Sequence, residues 1–329
     1  MQKVSILVPL YGAERYIEEC AGSLFAQSYT NCEYIFVNDA SVDLGLERLR
    51  VTIAEYPHLA GRIQVIDLPT NGGVAAARNR ALDAASGDYI LFVDADDWVD
   101  SEIVERLISK RLECDADICN AWCESVDQKE NRVVTPMGWL GSPMRHLKAV
   151  LGQSHLVSNH VRGMLIRRSL FEDHNLRFTP GVDFGEDYSL LPQLLYYSKR
   201  LATLRAPLYF YRTENEGSYM NNISERHILN YVEAERIVSN FVESLPQSRN
   251  LQYWLMLGRL NIKKWIFRRG VKPSRYDKLL FGVESPRITN PLLWLYNRAL
   301  DGECRGLILL LSVVVNLRLF IRTLLFKRA

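Results

Sequence analysis

The stretch Tyr89-Ile90-Leu91-Phe92-Val93-Asp94-Ala95-Asp96-Asp97 drives an apolar run straight into three carboxylates. An unbroken run of this kind reads as a short strand covered on both faces, which is the habit of parallel sheets in α/β proteins. In open α/β sheets ligands bind in the crevice beyond the carboxyl ends of the strands. Asp94, Asp96 and Asp97 therefore crowd like charge at a ligand-binding edge, an arrangement that raises their proton affinity or calls for a cation. In isolation the same residues also read as a solvated turn capping a helix that begins near Ser101.

The flanking sequence supports the sheet. Val4–Leu10, Glu33–Asn38, Ile63–Leu68 and Tyr89–Val93 read as strands, separated by amphipathic helices over Glu14–Gln27, Asp43–Tyr56 and Gly73–Ala85. This alternation is the βαβ signature of a parallel sheet. After Asp97 the pattern becomes mixed, with a helix over Glu102–Glu113, strand-like pieces at Asp117–Val126 and Arg132–Pro136, and further short elements up to Arg212. From Ile223 onward only helical periodicity is visible, broken at Pro246, Pro273, Pro286 and Pro291. The expected organisation of the 329 residues is an α/β unit over 1–218 followed by a helical module over 219–329. Within the first unit, 1–100 would form the crevice edge and 101–218 the wall facing it.

Composition removes several alternatives. Forty basic residues against 38 acidic ones leave no field strong enough to imply nucleic-acid binding. Hydrophobic content of 48% argues against disorder. The six cysteines show no paired CxxC spacing and the N-terminus has no secretory pattern, so a reducing, cytoplasmic setting is expected. Cys114, Cys119 and Cys123 lie on or beside an apolar strand-like segment and read as core residues, not metal ligands.

Other constellations add to the strand-ending carboxylates. Asp39 closes the second strand, where its carboxylate can accept hydrogen bonds from a base or ribose, whereas Asp43 reads as an N-cap. Asn71-Gly72-Gly73 precedes a helix of small residues, giving close backbone approach and an anion-friendly helix start, with Arg78 one turn on and within reach of a diphosphate. Glu186-Asp187 reads either as helix-dipole compensation or as a general base on a loop facing the crevice. Arg212 ends a probable strand, where it clamps phosphate or pairs with a surface carboxylate.

The order of these pieces resembles the inverting family-2 glycosyltransferases of the GT-A fold. The carriers of the resemblance are Val8-Pro9-Leu10-Tyr11, Asn38-Asp39-Ala40-Ser41, Asn71-Gly72-Gly73 with Ala77-Arg78-Asn79, Asp94-Ala95-Asp96-Asp97, Glu186-Asp187 and Tyr211-Arg212, spread over residues 3 to about 218. The resemblance implies a Rossmann-like mixed sheet flanked by helices, with a C-terminal helical extension here. It implies that Asp39 reads uracil, Asp94 the ribose, and that Asp96 binds a divalent Mn²⁺ or Mg²⁺ ion on the diphosphate. Pro9, Tyr11, Glu14, Arg78 and Arg212 would complete the donor site. Asp187 matches the catalytic base and Glu186 its acidic neighbour. Gly12 stands where an Asn is often found and Ala40 where Gly is usual, departures that bear on donor fit.

The function so implied is non-processive transfer of one sugar from a nucleotide sugar, expected to be a UDP-sugar, to a hydroxyl of a glycan or lipid-linked acceptor in surface polysaccharide synthesis. The Gln-x-x-Arg-Trp motif and long membrane spans of processive relatives are missing from the sequence. A sugar nucleotidyltransferase is disfavoured by the acidic, glycine-poor Pro9-Leu10-Tyr11-Gly12-Ala13-Glu14. A non-catalytic sugar-binding module would not require every carboxylate. Arg305–Arg328 reads as an amphipathic helix too short in its charge-free part to span a bilayer. Its apolar face includes Leu310, Val313, Val314, Leu317 and Phe320, and its basic residues are Arg318, Arg322, Lys327 and Arg328. That combination suggests peripheral attachment to an anionic membrane surface.

Overall fold

A computed structural model describes residues 1–314 apart from 137, 140, 155, 156, 158, 214–222, 247, 282–287, 289, 303 and 305. The elements in chain order are β1 (Val4–Leu10), α1 (Ile17–Phe25), β2 (Cys32–Asn38), α2 (Gly45–Ala54), β3 (Ile63–Asp67), α3 (Val74–Ala84), β4 (Tyr89–Phe92), β5 (Trp98–Val99), α4 (Ile103–Cys114), β6 (Ile118–Val126) and β7 (Arg132–Thr135). They continue with α5 (Pro143–Leu151), β8 (Met164–Arg167), α6 (Ser169–Asp173), α7 (Glu186–Tyr197), β9 (Leu201–Arg212), α8 (Glu225–Ser244), α9 (Ser248–Phe267), α10 (Asp277–Phe281) and α11 (Pro291–Asp301), followed by a helical stretch at 306–314.

The strands form one mixed sheet in the order β3-β2-β1-β4-β8-β6-β9-β5, with β7 paired to β6. The first four strands of that order are parallel, as the βαβ pattern requires, and β8 joins β4 antiparallel. Leu10 lies opposite Asn38 and Leu7 opposite Phe92, so the chain leaves β1, β2 and β4 along one common edge. Asp39 and Asp94, far apart in sequence, reach that edge because the register is parallel.

Side-chain alternation decides which helices cover which face. Val4, Ile6, Val8 and Leu10 point into a core shared with α1, α2 and α4. Leu7, Ile35 and Val37 point the other way, into a core shared with α3, α5, α7, α8 and α9. The helical region thus contributes Ala234, Val238, Val242, Leu251 and Leu255 to the same apolar cluster as the central strands. Glu235, 1% exposed, fastens the join by accepting hydrogen bonds from Tyr188 Oη (2.7 Å), Ser239 Oγ (3.0 Å) and Arg259 Nε (3.1 Å). Farther out, the buried Lys263 ammonium donates to Asn297 Oδ1 and Asp301 Oδ1 at 2.6 Å and pairs with Asp277 Oδ1 at 2.7 Å, locking α9 to α10 and α11.

Cys119 and Cys123 are buried on β6 and Cys114 is half-buried, with no metal-holding cluster of His, Cys, Asp or Glu among the described residues. None of the described helices is long and apolar enough to cross a membrane. In 306–314, Ile308 and Leu311 pack inward, while Leu309, Leu310 and Val313 are exposed. Arg318, Arg322, Lys327, Arg328, Leu317 and Phe320 of the expected amphipathic face lie outside the described residues.

Candidate active site

A cleft of about 730 Å³ opens along the carboxyl edge of β1, β2 and β4. Among the residues expected to bind donor or metal, or to act in catalysis, Pro9, Tyr11, Asp39, Arg78, Asp94, Asp96, Glu186 and Asp187 line it.

At its floor sits Arg78, 3% exposed, on the second turn of α3. Its Nη2 donates to Asp94 Oδ1 at 2.8 Å, and its Nη1 donates to Glu186 Oε1 and Asp187 Oδ1, both at 2.9 Å. Phe178 and Phe92 lie against the guanidinium, its carbon 5.3 and 6.0 Å from the two ring centres. Arg78 was expected to reach toward a diphosphate; instead its charge is taken up by three carboxylates from β4 and α7. Burial works against its charge, and Asp187, Asp94 and Glu186 outweigh that cost and hold it protonated.

Of the two placements the sequence leaves open for Glu186 and Asp187, a helix start and a loop facing the crevice, the structure has the first: they form the first turn of α7, and both line the cleft. Gly185 precedes them at φ +87°, a conformation glycine adopts without strain, and this turns the chain sharply enough to start the helix two residues early. Burial raises the Glu186 carboxyl to about 7, with repulsion from Asp187 adding to it and Arg78 opposing it. Asp187 is raised as well, first by burial, with Arg78 opposing. The two carboxyls interact closely enough to titrate as a pair.

Asp39, 2% exposed, turns its carboxylate onto the glycine turn, Oδ1 accepting from Gly72 N and Oδ2 from Gly73 N, each at 2.8 Å. Each oxygen keeps a lone pair for a ligand donor. The α3 N-terminus, expected to be open to an anion, already has the Asp183 carboxylate against it: Oδ1 lies 3.4 Å from Ala75 N, and a Cβ on Gly73 would come within 2.1 Å of it. Ala40, at the position where the resembled family usually has Gly, holds φ +54°, a left-handed backbone that costs a non-glycine residue roughly 1–2 kcal/mol.

The three acidic residues after β4 divide their tasks. Asp94 faces the cleft between Arg78 and Arg162, whose Nη1 lies 3.8 Å from Asp94 Oδ2. Asp96 lines the cleft. Asp97 points away from it: 1% exposed, it accepts from Tyr209 Oη at 2.7 Å and from Arg212 N at 3.0 Å. Burial raises its pKa, with Asp96 and Asp94 adding to the shift.

Two expected donor-binding residues stand outside the lining. Glu14 Oε2 accepts from Leu44 N at 3.0 Å and holds the loop before α2; Asp43, expected as the N-cap, stands one residue ahead of the N-cap Leu44 and accepts from Gly45 N and Glu14 N. Arg212 lies against Tyr16 and Trp98, donates from Nε to Asp96 O at 3.1 Å and pairs with Glu19 at 2.7 Å, bracing the acidic loop from behind. Tyr211, a carrier of the resemblance, does line the cleft, and so do His160, Arg162 and Asp183, which the sequence did not single out. Arg162 rests 4.2 Å above the Tyr211 ring centre and is held protonated chiefly by Asp94 and Asp97 against the cost of burial. Burial, then the Arg162 charge, pushes the His160 imidazole well below its usual pKa. For His160 and Arg162 the local signal in the sequence is the polar run Asn159-His160-Val161-Arg162.

The profile of Glycosyl transferase family 2 matches residues 5–174. The chain belongs to this family. The glycosyltransferase EpsJ of Bacillus subtilis (strain 168) is 36% identical over 226 residues, covering 65% of this chain and 62% of EpsJ; the chain thus spans less than two thirds of that relative. The structure of Staphylococcus aureus TarS 1–349 in complex with UDP-GlcNAc superposes with TM-score 0.59 at 20% identity, covering 91% of this chain and 88% of that one. The mannosyltransferase PcManGT from Pyrobaculum calidifontis, in complex with GDP-Man and Mn²⁺, gives TM-score 0.59 at 16% identity, covering 96% and 87%. The fold of this family-2 chain is therefore GT-A, with a helical C-terminal region.

Proposed function

We propose that this family-2 protein transfers a single sugar, with inversion, from a UDP-sugar to a hydroxyl of a glycan or lipid-linked acceptor in surface polysaccharide synthesis. The observation that carries the reading is the Arg78 node. It gathers Asp94, at the donor edge of the sheet, and Glu186 with Asp187, at the start of α7, around one guanidinium. A donor-side carboxylate and a candidate base are thereby fixed in one cleft without a flexible linker between them. TarS, whose structure carries UDP-GlcNAc, supports the choice of a uridine donor.

In this reading Asp39 accepts from the uracil N–H with the lone pairs left over from Gly72 and Gly73, and Asp94 holds the ribose hydroxyls. Residues 1–218 act as the transferase unit and 219–329 as its helical support. The chemistry present fits a divalent ion: Asp96 lines the cleft beside Asp94, and Mn²⁺ or Mg²⁺ in such sites is held by one or two carboxylates together with substrate phosphates. Asp96 would hold it. When bound, the ion neutralises charge on the departing diphosphate. Asp187, sharing its proton with Glu186, takes the proton from the acceptor hydroxyl. The acceptor oxygen bonds to the sugar C1 from the face opposite the diphosphate, the C1–O bond to the diphosphate breaks, and UDP leaves.

UDP release from UDP-sugars, with and without Mn²⁺, tests the reading. Wild-type protein should hydrolyse a UDP-sugar slowly and only with metal. Asp96→Ala should abolish the metal response, and Asp187→Asn should lower transfer by roughly two to four orders of magnitude with donor binding retained. Undiminished turnover in both variants would overturn the assignment.

A cytoplasmic protein held peripherally at the inner membrane surface completes the proposal. Its support is the exposed Leu309, Leu310 and Val313 beside the basic sequence Arg318 to Arg328. Flotation of the full chain with anionic vesicles, lost in a chain ending at Gly302 and in high salt, is the expected outcome; failure of the full chain to float at low salt would sink it.

A further inference from the structure

One wall of the cleft is aromatic, and the donor and base assignments leave it without a task. Phe184, Tyr231 and Trp265 line it. The Trp265 ring centre lies 5.9 Å from Phe184 at an interplanar angle of 26°, and 5.4 Å from Tyr231. Phe184 comes from the turn just before Glu186, whereas Tyr231 and Trp265 come from α8 and α9, some 40 to 80 residues later in the sequence.

The wall is built against the base pair, not merely near it. A Cβ on Gly185 would come within 2.4 Å of the Tyr231 ring, so the ring rests on the backbone that leads into Glu186 and Asp187. The Tyr231 hydroxyl donates to Gln153 Oε1 at 2.8 Å, and the Arg269 guanidinium carbon lies 4.1 Å from the Trp265 ring centre, which fixes both rings. All three side chains are half-buried. Aromatic surface left facing a polar cleft forgoes the free energy of burial until a ligand covers it. The uracil, the part of the donor able to stack on a ring, is assigned above to Asp39 at the end of β2. The C–H face of a pyranose ring is apolar, carries slight positive charge and suits the electron-rich face of an aromatic ring.

We propose that Phe184, Tyr231 and Trp265 form the acceptor subsite, where a pyranose ring of the acceptor packs its apolar face so that a ring hydroxyl meets the Glu186–Asp187 pair. The proposal rests on the transferase reading above. It divides acceptor recognition between the turn before α7 and helices α8 and α9, and leaves donor recognition to the sheet edge.

The test uses the full chain, the UDP-sugar it hydrolyses fastest, and three soluble acceptor probes: methyl β-D-glucoside, methyl β-D-galactoside and methyl N-acetyl-β-D-glucosaminide. Wild-type protein should glycosylate at least one of them. Trp265→Ala should raise the KM for that glycoside roughly ten-fold, the scale of one lost ring contact, and leave the KM for the UDP-sugar within about two-fold. Trp265→Phe should recover most of the loss. Phe184→Ala, which removes a ring without touching α9, repeats the measurement should Trp265→Ala fail to fold. An unchanged glycoside KM in the ring variants, an equal rise in the donor KM, or donor hydrolysis that none of the glycosides diverts to transfer would each overturn the subsite. Failure of the wild type to release UDP from any UDP-sugar would instead overturn the transferase reading.

Discussion

Arg78 is the residue on which the electrostatics of the cleft depend. Its single buried charge faces Asp94, Glu186 and Asp187, so removing it strands three largely shielded carboxylates with Arg162, 3.8 Å from Asp94, as the counter-charge among the described residues. Arg78→Met should cost about 3–5 kcal/mol of stability at pH 7.5, the range for breaking a buried ion pair from one side. The deficit should shrink at pH 5, where the carboxylates take up protons; urea denaturation at the two pH values checks both parts. The neighbouring Glu186 makes a separate pH prediction. Its folded pKa of about 7 lies above the ordinary carboxyl value, so the folded state binds the extra proton between pH 4.5 and 7 and its contribution to stability is lost as pH rises through 7. The melting temperature should therefore fall across that window and fall less in Glu186→Gln. The transfer rate should run the opposite way, rising with pH around 7 as the pair gains a free base form.

Among the elements, β9 supports the acidic loop although it contributes only Tyr211 to the cleft lining. Tyr209 Oη donates to Asp97 and accepts from Asp94 N at 3.2 Å, while Arg212 N donates to Asp97 and the Arg212 guanidinium holds the Asp96 carbonyl. The third carboxylate of the run is thus the anchor that aims the other two. Asp97→Ala leaves a buried hydroxyl and a buried amide without their acceptor and should cost about 1–3 kcal/mol. It should also weaken UDP binding in the presence of Mn²⁺, measured by calorimetry. Asp97→Asn, which keeps one acceptor oxygen, should do less on both counts. Donor affinity equal to wild type in Asp97→Ala would show that the loop holds its shape without β9.

For the whole molecule the decisive fact is the shared core. α8 and α9 bury Ala234, Val238, Val242, Leu251 and Leu255 in one cluster with Leu7, Ile35 and Val37 of the sheet. At roughly 1.5–3 kcal/mol for each large apolar side chain uncovered, losing such a face costs about as much as the whole margin by which a domain stays folded. A chain ending at residue 218 should therefore bind 8-anilinonaphthalene-1-sulfonate and lack a cooperative melt, even though every carboxylate assigned to the reaction lies before that point. A folded, UDP-binding 1–218 fragment would show the helical region to be dispensable.

The sequence by itself determined the order of strands and helices through β4, the helical character after Ile223 and the placement of carboxylates at the ends of β2 and β4. All are local properties: a period of two or 3.6 records which side of an element meets water, and a polar break in an apolar run records where a strand ends. Element ends moved by a few residues, as with α1, which starts at Ile17, and α7, which starts at Glu186. What periodicity does not carry is the identity of a partner. Asp94 and Asp97 stand in one turn of chain with the same side chain, yet Asp94 meets Arg78 in the cleft and Asp97 meets Tyr209 behind it. Glu14 and Arg212 have motif positions that suit ligand binding and are taken up by Leu44 N and Glu19 instead. The sheet order across β8, β6 and β9, the Arg78 node and the aromatic wall all join residues separated by dozens of positions. Only the packed structure decided them, because desolvating a charge or a ring is favourable only once a specific partner from elsewhere in the chain is in place.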